Sequence, residues 1–422
     1  MNIVVISYRI AGNDGVSLEC VHWKEILEKM GHKVTFLAGQ LDRAGIVMPE
    51  LHFQWPNVME LHDRVVYGKG KYRQIEAKIF DIAGTIEGKL RHFFNGNRKV
   101  DLLVVANIFS LPMHFPLAVA LTRVIEELGI PTIARHHDFW WERKRYIKSQ
   151  LFPFFERWFP PKLAQIKHVV INSIAKDELK AKTGLEAEVI WDSFDFSNEK
   201  LSKIDRYSLH FKKDFGIREN DIVFLQSTRI VPRKRVELSI EFIKKLADPR
   251  AILILSGHAG DEGRLYLKKI KKHLKTSTIR YKLIGDFVNS KRRVVRISNG
   301  LEPKRARMYT MWDCYRNSDF VLYPTKIEGF GNQFIESVYF RKPIIITSYP
   351  VYDKDIKPLG FETIGMRAKP DSTSVNKVRH LLEDSVEVER ITKLNFGLGK
   401  KYFSYEWVQG KLEKLFGEMN LH

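Results

Sequence analysis

Short apolar runs alternate with helix-period segments from one end of this chain to the other, and no other feature constrains its fold as tightly. A strand buried on both faces reads as a near-continuous apolar run, and a parallel neighbour can be reached only through a long crossover, usually a helix. The first run, IVVISY, is followed by a glycine-containing loop, GNDG, and a helix pattern from about Val16 to Met30. Gly31 stops that helix, and KVTFLAG supplies the next strand. DLLVVAN, PTIARH, HVVINS and EVIWDS continue the series up to a polar stretch from Asp195 to Arg206. The pattern then restarts with IVFLQST, AILILSG, YKLIGD, DFVLYPT and PIIITS, separated by helix patterns such as VELSIEFIKKLAD and GNQFIESVYFR. The expected fold class is α/β, with two Rossmann-like doubly wound domains facing a central cleft. Boundaries are expected at 1–195 and 207–400, with 401–422 an amphipathic helix returning to the first domain on Phe403, Trp407, Leu412 and Leu415.

The 422 residues are too many for one core, and a hydrophobic content of 44% excludes a mainly disordered chain. Seventy Lys and Arg against fifty Asp and Glu give a formal charge of +20. That balance favours an anionic partner: phosphates, an acidic metabolite, a lipid surface or nucleic acid. The basic residues are widely spread and no nucleic-acid module is recognisable, so no nucleic-acid partner is expected. Cys20 and Cys314 cannot build a disulfide framework or a cysteine-based zinc site, which points to a cytoplasmic setting. MNIVVISY lacks the basic start and cleavage site of a signal peptide. The uncharged stretch between Asp101 and Arg123 is long enough to span a bilayer, but Asn107, Ser110, Pro112, His114 and Pro116 interrupt it. It reads instead as a buried strand and the helix after it.

The densest chemistry is in EGFGNQFIE, entered from the strand DFVLYPT. Its carboxylates, Glu328 and Glu336, lie eight residues apart, and Gly329 and Gly331 allow a sharp turn between them. The helix beginning there aims free N–H groups back at the strand end. Such backbone donors suit phosphate or sugar oxygens, and the carboxylates suit hydroxyl donors. A glycine turn followed by a solvated glutamate is the plainer reading. STRIVPRKRVEL, after the strand IVFLQ, places Arg229 and Lys234 at a crossover stiffened by Pro232. A guanidinium and an ammonium at the carboxyl end of a parallel strand could neutralise a diphosphate. A basic surface loop is the alternative, and Arg233 and Arg235 are assigned to solvent.

The run from STRIVPRK through YKLIGD and NSDFVLYPTKIEGFGNQFIESVYFRKPIIIT resembles the retaining glycosyltransferases of family 4, which have the GT-B fold. An Arg with a Lys five residues on, then Glu-Gly-Phe-Gly with a second Glu eight positions after the first, occur in that family's order and spacing. GHKV before the second strand and a late His-Asp extend the likeness over nearly the whole chain. The resemblance implies that Arg229 and Lys234 hold a donor diphosphate, that Glu336 binds the ribose, and that Glu328 binds the donor sugar beside the amides of Phe330 and Gly331. Asn332 and the loop glycine Gly15 would also meet the donor, and Gly285 would lie near its base. His137, in RHHDFWWER, would sit over the donor sugar, with His136 the competing assignment. The first loop departs from the pattern: Gly12, Asn13, Asp14 and Gly15 replace adjacent glycines, and Asp14 could read an acceptor hydroxyl. Residues 287–302 are longer and more basic than the usual connection, and TSYPVYDKD replaces a glycine-rich stretch.

Arg9, Asp14, Arg135, His136 and Arg143 are the acceptor-side candidates, in a region that also holds Lys144, Arg145 and Lys148. A cationic, aromatic-lined pocket built there would suit a carboxylate or phosphate. The aromatics of FPFFERWFPPK could instead rest on an anionic membrane, or be core rings under a charged face. RHHDFWWER and SYRIAGNDGVSLE look similar to mannosylglucosylglycerate synthases, which implies GDP-mannose as donor and a small acidic acceptor such as glucosylglycerate. A lipid-linked or polysaccharide acceptor is the alternative. From another class, a nucleotide-sugar- or nucleic-acid-binding protein without catalysis would keep the basic loops. No cofactor and no metal ligand are expected. Asp353 and Asp355 match an Asp-x-Asp pattern, but Lys354 and Lys357 crowd it. Arg229 and Lys234 would do a metal's work at the diphosphate, leaving magnesium at most stimulatory.

Overall fold

The computed structural model describes residues 1–12, 14–66, 68, 71–96, 99–260, 263–298 and 303–421. Asn13 of the first loop and residues 299–302 of the long basic connection lie outside the described residues. The chain divides into two compact units, Met1–Ser193 with Tyr405–His422, and Phe194–Ser404. The polar stretch 195–206 thus belongs to the second unit, and the chain rejoins the first at Tyr405.

In the first unit β1 (Asn2–Ser7), β2 (Lys33–Ala38), β3 (Ile46–Val47), β4 (Leu102–Ala106), β5 (Thr132–His136), β6 (Ile166–Val170) and β7 (Ala187–Val189) form one sheet in the order β3-β2-β1-β4-β5-β6-β7. Every pairing is parallel. Because side chains alternate across a sheet, each strand feeds two cores. Val4, Ile6, Leu103 and Val105 pack with the helices Tyr72–Phe94 and Phe115–Leu128. Ile3, Val5, Leu102 and Val104 pack with Gly15–Lys29 and Tyr405–Glu418. The last helix is held there by buried Val408, Leu412 and Leu415, and by the Tyr405 hydroxyl donating to Glu25 Oε2 at 2.7 Å.

The uncharged stretch after Asp101 resolves into β4 and a helix of 14 residues that His114 caps and Gly129 ends at φ 62. Among the described residues no helix is long and apolar enough to cross a membrane. The aromatics read as a candidate membrane contact are mostly core: Phe154, Phe155, Trp158 and Phe159 are buried, and Phe152 alone among them is exposed. Trp140 draws them in, donating from its indole to Phe159 O at 2.9 Å with its ring 5.6 Å from Phe155.

In the second unit β8 (Ile222–Gln226), β9 (Ala251–Leu255) and β10 (Arg280–Leu283) precede an antiparallel hairpin of β11 (Arg293–Ser298) and β12 (Pro303–Met308). β13 (Phe320–Tyr323), β14 (Ile344–Thr347) and β15 (Ile364–Met366) follow. The main sheet is parallel throughout, in the order β10-β9-β8-β13-β14-β15. The hairpin is what the basic connection folds into. Its base is tied down by the Tyr207 hydroxyl, which donates to Arg293 O and Met308 O at 3.1 and 3.0 Å. In each sheet the order reverses beside the first strand, at β1/β4 and at β8/β13, where crossovers leave to opposite faces and a crevice opens at the carboxyl ends.

The helix Ser385–Tyr402 carries two glycines in opposite surroundings. A Cβ at Gly399 would lie 2.6 Å from Val338 Cγ1 and 2.7 Å from Phe196 Cζ, whereas one at Gly397 would meet nothing within 4 Å. Gly399→Ala is expected to destabilise by about 1–3 kcal/mol through overpacking. Gly397→Ala is expected to stabilise by about 0.5–1 kcal/mol, because alanine loses less backbone entropy in a helix. Denaturant titration of the two variants checks the packing; equal effects would mean that this helix does not press on Phe196 as described.

Candidate functional site

The crossover after β8 is organised by the amide of Gln226. Its Nε2 donates to Lys234 O at 2.9 Å and Thr228 Oγ1 at 3.1 Å, while its Oε1 accepts from Ser239 Oγ at 2.7 Å. A tight turn, Pro232–Lys234, ends at Arg235 with φ 45, and the chain doubles back. Lys234 is thereby folded over the strand ends, 8% exposed, with Nζ bound to Glu328 Oε1. Thr325 Oγ1 donates to the same oxygen at 2.7 Å, and Arg233 Nη1 donates to Oε2 at 3.0 Å. The assignment of Arg233 and Arg235 to solvent is therefore corrected. Arg233 shares the Glu328 carboxylate, and Arg235 Nε donates to Pro324 O at 3.3 Å. Burial pulls the Lys234 ammonium down to about 8 against the attraction of Glu328. Burial also opposes the Glu328 charge, but Lys234 and Arg233 outweigh it and hold the carboxyl below its usual range.

Past Glu328, Phe330 is buried and Gly331 has φ 133. A Cβ at Gly331 would lie 2.6 Å from the Tyr349 hydroxyl and 2.8 Å from that of Tyr323, so both conformation and space require glycine. The Tyr349 hydroxyl donates to Phe330 O at 2.8 Å and fixes the turn. The helix Asn332–Tyr339 starts here, and Asn332 Oδ1 is a buried acceptor with no hydrogen-bond partner among the described residues. One helical turn on, Glu336 Oε2 accepts from the Tyr315 hydroxyl at 2.7 Å, and that hydroxyl lies 2.8 Å from Ser227 Oγ. Gly285 follows β10 in close contact with the next crossover: a Cβ there would lie 2.8 Å from Gly257 O. Arg229 is exposed at the start of the β8 crossover.

The second unit therefore brings Arg229, Lys234, Gly285, Glu328, Phe330, Gly331, Asn332 and Glu336 to the carboxyl ends of β8, β10 and β13. Two linkages hold the group: Glu328 to the β8 crossover through Lys234, and Glu336 to Ser227 through Tyr315. Ser227, Tyr315, Tyr323 and Tyr349 carried no signal in the sequence, since a buried tyrosine in a strand or helix looks like any core aromatic.

In the first unit the turn from β1 is closed by Asp14, which caps the helix Gly15–Lys29. Its Oδ1 accepts from Ser17 N at 3.1 Å, and its Oδ2 from Ser17 Oγ at 2.8 Å and Arg9 Nη2 at 3.0 Å. Gly15 is the first residue of that helix. Arg135 turns inward from β5. It is 2% exposed, donates from Nη2 to Glu19 Oε2 at 2.8 Å and Asp192 Oδ1 at 3.1 Å, and packs 4.7 Å from the Trp23 ring. His136 also faces the core, its Nε2 3.0 Å from His168 Nδ1, and both rings are held neutral, chiefly by burial. His137 differs: Nδ1 and Nε2 are both buried with no hydrogen-bond partner among the described residues. Burial and then Arg135 lower it to about 3, so the ring is neutral near pH 7. Arg143 is half exposed and donates to Asp138 Oδ1 at 3.1 Å. The placement thus separates the adjacent histidines, one stacked in the core and one unpartnered. It also commits Arg135 to carboxylates of the chain itself.

No family profile matches the chain. Two curated relatives match it nearly end to end. The mannosylglucosylglycerate synthase of Petrotoga mobilis is 31% identical over 441 residues, covering 96% of this chain and 98% of the relative. That of Thermotoga maritima is 32% identical over 448 residues, covering 98% and 99%. This chain belongs to the mannosylglucosylglycerate synthase family. It is a glycosyltransferase, a hexosyltransferase, of GT-B fold. Solved structures agree on the fold: Anabaena HepE in complex with UDP and glucose superposes with TM-score 0.62 at 13% identity over 99% of both chains. Sucrose-phosphate synthase from Thermosynechococcus elongatus gives 0.65 at 12% identity over 99% of this chain and 98% of that one.

This member of the family keeps a buried charge cluster beneath His137, and the cluster has a pH signature. Burial, with the neighbouring Glu19 charge, raises the Asp192 carboxyl, whereas Arg135 and His22 outweigh burial and hold Glu19 low. A carboxyl raised on folding contributes stability that is complete below its unfolded pKa and is lost as the pH rises through its folded value. Asp192→Asn keeps an acceptor for Arg135 and removes that loss. The melting temperature of the variant relative to the parent is expected to increase from about pH 5 to about pH 9; a constant difference would show that Asp192 is ionised throughout.

Proposed function

We propose that this enzyme transfers mannose from GDP-mannose, with retention of anomeric configuration, to a small acidic acceptor such as glucosylglycerate. The observation that carries the reading is the end-to-end likeness to two relatives that are both mannosylglucosylglycerate synthases. The UDP and glucose held by the Anabaena protein of the same fold support a nucleotide sugar as donor.

In this reading the donor lies on the second unit. Arg229 and Lys234 take the diphosphate, Glu336, oriented by Tyr315, takes the ribose hydroxyls, and Gly285, packed against Gly257, lies near the base. Glu328 takes hydroxyls of the sugar beside the amides of Phe330 and Gly331, and the unpaired Asn332 Oδ1 accepts from another donor hydroxyl. Lys234 is engaged with Glu328, so an arriving diphosphate must share the ammonium and free the carboxylate for the sugar. On the first unit His137 and Gly15 are assigned to substrate and Arg9, Asp14 and Arg143 to the acceptor, with Arg135 and His136 supporting these turns from the core. The bond from the sugar's C1 to the diphosphate oxygen breaks, and its electron pair stays on the diphosphate. The acceptor oxygen bonds C1 from the same face, and its proton passes to a diphosphate oxygen. GDP and the mannoside are the products, and no protein base is needed. The cationic side chains stabilise the leaving charge, so no metal is required and magnesium at most stimulates.

A product screen of GDP-mannose and UDP-glucose against glycerate, phosphoglycerate, glucosylglycerate and a lipid-linked acceptor, after EDTA treatment and desalting, tests the assignment. GDP and a mannosylated acidic product are expected from GDP-mannose with glucosylglycerate. Transfer confined to the lipid-linked acceptor would replace the reading, and complete loss restored by manganese would contradict the metal-free mechanism.

Arg229→Ala and Lys234→Ala are each expected to lower turnover by roughly 10²–10³-fold, the scale of one lost transition-state charge contact. Glu336→Ala should chiefly weaken GDP binding and Glu328→Ala chiefly slow transfer, each through polar contacts worth on the order of 1–3 kcal/mol. Calorimetry with GDP beside single-turnover rates separates the two; a GDP affinity that falls only for Glu328→Ala would exchange their roles.

A further inference from the structure

β4 ends at Ala106, and the next residue has no place in the reaction described above. Asn107 is buried, 5% exposed, with φ 62, a left-handed conformation that costs most side chains energy and that asparagine tolerates better than most. Its backbone N–H donates to Arg135 O at 2.8 Å and so extends the pairing of β4 with β5 by one residue. Its side chain then curls across to the chain leaving β5. A single oxygen, Oδ1, accepts from His137 N at 3.0 Å, Asp138 N at 3.2 Å and Ser110 Oγ at 3.0 Å. Three donors on one carbonyl oxygen, together with the backbone link to Arg135, over-determine the path of residues 135–138. The His137 ring stands apart from this network, with both of its nitrogens buried and unpartnered. The main chain of His137 is fixed while its side chain is left for something else to bond.

We propose that Asn107 is a positioning residue for transfer: it holds the His137 backbone so that the unpartnered imidazole is presented to substrate. The proposal rests on the reading of His137 as a site residue. The position demands a left-handed backbone and a side-chain oxygen one carbon beyond Cβ. Glycine meets the first demand alone. Aspartate meets both.

The test compares Asn107→Gly, Asn107→Asp, His137→Ala and the double variant Asn107→Gly/His137→Ala, measuring kcat, KM for GDP-mannose and the calorimetric Kd for GDP. Asn107→Gly is expected to lower kcat by roughly 10–100-fold, the scale for a reacting group displaced by about an ångström. GDP affinity should stay within about twofold, because independent sites act additively and the nucleotide contacts lie elsewhere. Asn107→Asp should recover most of the lost rate. The double variant should be no slower than His137→Ala within about twofold, since groups acting as one unit are non-additive. A slow His137→Ala beside a normal Asn107→Gly overturns the positioning role alone, and so do losses that simply multiply in the double variant. A full rate for His137→Ala overturns the reading of His137 and this proposal with it. Should Asn107→Gly fail to fold, Asn107→Ser, whose hydroxyl lies closer to the backbone and reaches fewer of the donors, carries the same comparison.

Discussion

A parallel strand must be returned by a crossover, and crossovers of one hand leave every strand-to-helix turn at the same end of the sheet. The main sheet of each unit is parallel throughout, so each presents its strand-to-helix turns at the carboxyl ends of its strands. The reversal of strand order at β1/β4 and β8/β13 then keeps adjacent turns from closing over one another. Every residue given a role in binding or transfer lies in one of those turns or in the first turns of the helix that follows. What remains for the sequence to decide is which side chains occupy them and how each is held.

The two units hold theirs differently. In the second, charges are bonded to one another: Lys234 and Arg233 share Glu328, and the loop crossing Gly331 fits only because that residue has no side chain. A buried lysine and glutamate in contact can each be stabilised by the other or by a ligand of the opposite sign, so the cluster needs no ligand to hold together and still keeps charge at the strand ends. In the first unit the charges sink below the turns. Arg135, Glu19 and Asp192 bond among themselves under Trp23, and His137 is left above them neutral and unpartnered. The large positive charge of the chain is thus not one surface: some of it is internal structure and some is paired at the site.

Much of this was legible in the sequence because it follows from local rules. IVVISY, DLLVVAN, IVFLQST and DFVLYPT are strands because both faces of each are buried, and the spacing of Glu328 and Glu336 survives because a turn and a helix carry it. Arg135 could not be placed that way. An arginine one residue short of two histidines reads as acceptor-facing, and only the arrival of Glu19 and Asp192 from distant elements turns it inward. Asn107 was noticed only as a polar break in an apolar stretch; its left-handed backbone and its bond to His137 belong to the pairing of β4 with β5. The hairpin of β11 and β12 hid in a run of arginines, whose charge masks the alternation of half-buried Val295 with exposed Val294 and Arg296. Two short edge strands, β3 and β15, were missed because two or three residues carry no period.

In the transfer proposed above, the acceptor attacks a nucleotide sugar on the cationic turns of the second unit from the face its leaving diphosphate vacates. Proton–carbon correlation NMR of the product formed from GDP-mannose and glucosylglycerate reports that face through the one-bond C1–H1 coupling and the carbon shift of the new anomeric centre. An α-mannoside, the configuration of the donor, is expected. A β-mannoside as the product would contradict retention.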